Sequence, residues 1–66
     1  MTTAERIEAR GEARGRAEIL ILVMTEKFGP LPTAITDRVR TADLADLRRW
    51  TSRVLKAETV DEVFAE

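Results

Sequence analysis

The chain has 66 residues, neither cysteine nor histidine, and 11 basic against 12 acidic side chains, for a formal net charge of −1. That composition excludes disulfides, argues against a zinc site, and fits neither a basic nucleic-acid tail nor an acidic disordered segment. A domain this small buries only about 60% of the surface its unfolded chain exposes, so oligomerisation is the expected source of added stability.

The first helix is expected over residues 1–28. Thr2 and Glu5 have the spacing of a capping box. From there to Phe28 only Gly11 and Gly15 interrupt a run of good helix formers, each costing about 1 kcal/mol relative to alanine. Ala9, Ala13, Ala17, Leu20, Ile21, Met24 and Phe28 recur at spacings of three and four and define one face. Ile7, Gly11, Gly15, Ile19, Leu22 and Val23 lie roughly opposite. Two apolar faces on one helix imply that one covers the chain's own tail and the other meets a second subunit or domain. The alternative is a helix enclosed on both sides within one chain. Arg6, Arg10 and Arg14 form a basic ridge, and Glu5, Glu8 and Glu12 an acidic one, with Glu12 placed to pair with Arg16. Such ridges suit two antiparallel copies or, equally, a solvated surface.

The longest apolar run, Ile19 to Met24, falls far short of the ~20 residues a membrane span needs. Glu5, Glu8 and Glu12 occupy the place of a signal-peptide core. A cytoplasmic protein of bacterial type, without membrane or metal, is expected.

Residues 29–32 are the break. Gly29 suits the left-handed turn that ends a helix, Pro30 cannot continue one, and Pro32 fits the first turn of the next. Residues 33–66 read as a helical tail. Leu31, Ile35 and Val39 mark a short helix of two to three turns. Asp43 is an N-cap for a longer one carrying Leu44, Leu47, Thr51, Val54 and Leu55 on one face, with Trp50 beside them. Thr59 and Glu62 form a second capping box, opening a last turn with Val60, Val63 and Phe64. No strand pattern appears. The expected fold is all-α: a long helix, a turn, and two to three shorter helices packed back on it. Its core is expected to be Leu20, Ile21, Met24, Phe28, Leu31, Ile35, Val39, Leu44, Leu47, Trp50, Val54 and Phe64. Ile7, Gly11, Gly15, Ile19, Leu22 and Val23 are the expected oligomer interface, completing the fold in a homodimer or small homo-oligomer.

Without histidine or cysteine, the usual general base and the best nucleophile are missing. Lys27 and Lys56 lie beside helix ends, and the carboxylates are spaced regularly rather than clustered. No catalytic residue, cofactor site or metal site is therefore assigned. Between Asp37 and Lys56 basic residues outnumber acidic ones, and Arg48, Arg49 and Arg53 are the candidate nucleic-acid contacts, with Trp50 as a stacking ring if exposed. Against that reading, Trp50 occupies a core-compatible position and Glu58, Asp61, Glu62 and Glu66 follow. The same arginines also match the dipole of their helix.

Taken together, Gly11 to Glu18, the apolar run, Phe28 to Pro32, Leu44-x-x-Leu47-x-x-Trp50 and Thr59 to Phe64 resemble a known domain. It is the helical C-terminal domain of the bacterial recombination-promoting nuclease and putative transposase family. The resemblance covers nearly the whole chain. In that family the catalytic carboxylates and lysine belong to an upstream nuclease domain of the PD-(D/E)XK type, and no residue here matches them. The resemblance implies a non-catalytic accessory module whose partners are itself and, by extension, a nuclease-family relative.

Overall fold

The computed structural model describes residues 3–65, with side chains from Arg10 onward. The capping box at Thr2 and Glu5 and the side chain of Ile7 lie outside what is described. Four helices follow in order: α1 (Thr3–Phe28), α2 (Thr33–Arg40), α3 (Leu44–Val54) and α4 (Val60–Phe64). The described residues contain no strand, so the fold is all-α.

Sequence chemistry explains where each helix starts and stops. The amide of Gly29 donates to the carbonyl of Thr25 at 2.9 Å, with φ at +86°. A residue with a Cβ pays a steric penalty in that region. Pro32 sits one position earlier than the first helical turn, as the N-cap of α2. Having no hydroxyl or carboxylate to cap with, it contributes its carbonyl, which accepts from Ile35 and Thr36. Asp43 caps α3 by accepting from the amide of Asp46 at 2.9 Å. Thr59 and Glu62 form the reciprocal box on α4, and the Glu62 carboxylate also accepts from the amide of Glu58.

The helices run up, down and up. Glu18, in the middle of α1, meets Arg40 at the end of α2. Lys27, near the end of α1, donates to the carbonyl of Val54 at the end of α3. The enclosed core comprises Ala17, Leu20 and Met24 of α1, Val39 of α2, Leu47, Trp50 and Val54 of α3, then Ala57 and Val63. Met24 has 0% of its surface exposed. Ile21, Phe28, Leu31, Ile35 and Phe64 are half-buried around it; Leu44, expected in the core, is half-buried but borders a recess with Arg10 and Ala13 instead.

The buried line of α3 runs Leu47, Trp50, Val54 and continues to Ala57. The expected face that included Thr51 and Leu55 is therefore corrected: both are exposed, Leu55 by 78%. On a helix they lie about 100° round from Trp50 and Val54, beyond the contact with α1. Thr51 turns its hydroxyl back to the Leu47 carbonyl at 2.7 Å.

Two glycines should respond oppositely to alanine. A methyl group at Gly15 meets open space, so Gly15→Ala is expected to stabilise the fold by roughly 1 kcal/mol. Gly29→Ala should destabilise it by about 1 kcal/mol or more through its positive φ. Urea denaturation followed by Trp50 emission reads both; equal signs would contradict the backbone assignment.

Candidate functional site

The covered face of α1 carries Ala17, Leu20 and Met24. On the far side Ile19 is 64% exposed, Leu22 60% and Val23 42%. Gly11 and Gly15 are exposed as well and have nothing within 4 Å of where a Cβ would stand. They make no close helix approach within the described chain. The apolar residues expected at an interface thus occur together on one surface, with Ile7 outside the described side chains.

That surface continues onto α3. Arg16, Ile19 and Leu20 of α1 and Leu47, Arg48, Thr51 and Ser52 of α3 line an open groove between the two helices. Leu55 follows one turn after Thr51 on the same side of α3. Ile19, Leu20 and Leu47 give the groove its apolar lining, and Arg16 and Arg48 give it basic side chains. Leu55 was hidden in the sequence because it alternates with core residues. The signal that could have found it is the stripe Arg48, Thr51, Ser52, Leu55, polar except for its last member.

Of the charged ridges of α1, the side chains of Arg10, Glu12 and Arg14 are described. Glu12 pairs with Arg16 at 3.1 Å, one turn apart. By helical spacing, Glu12, Ile19 and Glu26 fall on one line, seven residues apart. Arg10 instead lines a shallow recess with Ala13, the α2–α3 connection and the first residues of α3, Leu44 and Ala45. Side chains of Glu5, Arg6 and Glu8 lie outside the described set. On the α2 side, Glu18 accepts from Arg40 at 2.8 Å. That hydrogen bond holds the Glu18 carboxyl below its ordinary value and raises Arg40.

Of the three candidate nucleic-acid residues, Arg49 and Arg53 share a surface and Arg48 does not. Arg48 borders the α1–α3 groove. Arg49 pairs with Asp46 at 2.8 Å, and Arg53 donates to the carbonyls of Val63 and Ala65, closing the end of α4. Trp50 is only 4% exposed and packs edge-on against Phe64, with ring centroids 4.8 Å apart. It is a core residue, and its ring is not offered to a base. The guanidinium carbon of Arg38 lies 5.4 Å from the Trp50 ring centre and 4.7 Å from that of Phe64, within cation–π range of both. Arg38, Arg49 and Arg53 thereby meet around one small recess, a grouping that no single helical spacing reveals because α2 contributes a member.

Lys27 is engaged rather than free, its ammonium bonded to Val54 and 5.6 Å from the Phe28 ring centre. Among the described residues no three carboxylates come close enough to share a metal ion, and no helix is long and apolar enough to cross a membrane. What the site offers is apolar contact and arginine chemistry. Comparison of the chain with protein-family models, with curated proteins and with solved structures gave no match.

The Glu18–Arg40 pair has a pH signature. The carboxyl of Glu18 is depressed in the folded chain, so its contribution is complete above the ordinary glutamate range. It is lost as pH falls through the depressed value. Both side chains are half exposed, so the effect is small. Thermal melts taken from neutral into acid pH should show a shallower acid loss for Glu18→Gln than for the native chain. Identical acid limbs would contradict the pairing.

Proposed function

We propose that the chain is a non-catalytic helical interaction module that associates with a second copy of itself through the uncovered face of α1. The observation that supports this is the adjacency of Ile19, Leu22 and Val23, all substantially exposed, on a helix whose other face is already engaged. Isolated surface hydrophobics need no explanation, but several neighbouring ones on one helix face are the usual mark of an interaction site.

A second copy fits by charge as well as by apolarity. In an antiparallel pairing of two α1 helices that sets Ile19 against Leu22, Glu26 of each copy falls opposite Gly15 and Arg16 of the other. The two-fold arrangement makes that contact twice. A parallel pairing would instead set Glu12 on Glu12 and Glu26 on Glu26. The resemblance of the chain to a nuclease-associated C-terminal domain gives the association a role: bringing attached nuclease domains, or a nuclease-family relative, together.

Sedimentation velocity or light scattering tests the reading. The native chain should associate at high micromolar concentration. Leu22→Glu and Val23→Glu should each weaken association by at least about tenfold, or ~1.4 kcal/mol, with Trp50 emission unchanged. A native chain that stays monomeric at high micromolar concentration overturns the proposal.

A further inference from the structure

We infer that the recess between α2, α3 and α4 is a binding site for an oxyanion of the phosphate class, supplied free or as a phosphate monoester. Arg38 of α2 and Arg49 and Arg53 of α3 line it, and Trp50 and Phe64 complete it, around a space of about 280 Å³. That size suits one phosphate group with part of the molecule that carries it. The inference is independent of self-association, since none of these residues borders the α1–α3 groove.

The charge balance argues for an anion. Three arginines line the recess, and among the described residues a single carboxylate, Asp46, forms an ion pair with any of them. Arg53 is satisfied by the carbonyls of Val63 and Ala65, which accept hydrogen bonds but carry no net charge. Arg38 is held by the faces of Trp50 and Phe64. A cation–π contact is made by charge and uses no hydrogen-bond acceptor, so it leaves the guanidinium N–H groups for an oxyanion. The recess therefore gathers more positive charge than the described chain neutralises. It does so with the side chain best matched to phosphate oxygens.

The arginines are also held in place, which lowers the cost of ordering them around a ligand. Two rings position Arg38, the end of α4 positions Arg53, and Asp46 positions Arg49. A lysine at any of these points would supply charge without the fork or the stacking plane. The site differs from the basic stripe expected from α3 alone: Arg48 is outside it and Arg38 is inside.

Trp50 is the sole tryptophan, so its emission reports on the recess directly. The experiment titrates the full chain with inorganic phosphate and, separately, with a nucleoside monophosphate, at ionic strength held constant with sodium chloride. A saturable change in emission is expected below tens of millimolar. Arg49→Gln should weaken it at least tenfold. Lys56→Gln, which removes the same charge outside the recess, should leave it unchanged. Arg38→Gln should abolish the response, but because Arg38 packs on the rings, Arg49→Gln is the deciding variant. Equal affinity for the two ligands assigns recognition to the phosphate group alone, and tighter binding of the nucleotide assigns part of it to the ester. No saturable response to either, or the same response in Arg49→Gln, overturns the inference.

Discussion

The packing of α2 and α3 against one face of α1 through Ala17, Leu20 and Met24 is the contact on which the other features depend. Isolated helices shorter than about 12–15 residues are marginal in water, and α2, α3 and α4 have 8, 11 and 5 residues. None is expected to persist alone. Each gains stability by laying an apolar stripe on its neighbours, and Met24, with no exposed surface, lies where those stripes meet. Helix ends are secured cheaply by local chemistry: a positive-φ glycine, an aspartate cap and a Thr–Glu box.

That same contact decides which parts of the molecule remain available. Once one side of α1 is committed, the residues half a turn away have no partner among the described residues, and they include Ile19, Leu22 and Val23. The packing of α3 on α1 through Leu47, Trp50 and Val54 also leaves Leu55 exposed. On the other side of α3, the return of α2 brings Arg38 to the arginines of α3, and α4 supplies Phe64 as a floor. Two distinct surfaces, one apolar and one cationic, thus follow from a single packing choice.

Much of this was legible in the residues themselves. Gly29, Asp43 and the pair Thr59 and Glu62 have side-chain chemistry that acts within a few positions, so their roles could be read locally. The two faces of α1 followed from spacing, because a helix fixes which positions share a side. Leu55 did not follow, since its neighbour Val54 belongs to the core and one residue of rotation decides between them. Ala57 was missing from the expected core for a related reason: it is buried by the way the α3–α4 turn folds over, which no periodicity encodes. The Arg38 recess depends on where α2 and α3 both come to rest on α1, a tertiary fact. Pro32 served as the cap, one position before the first turn, because its carbonyl could do the work its side chain could not.

The central claim is that α1 has two apolar faces with separate occupants. The most direct measurement is methyl NMR of the native chain with a soluble gadolinium chelate, at low and high protein concentration. The account predicts that Leu20 and Met24 stay shielded at both concentrations, whereas Ile19, Leu22 and Val23 are bleached when dilute and protected when concentrated. The claim is contradicted if both sets change together, or if Ile19, Leu22 and Val23 remain equally accessible at every concentration.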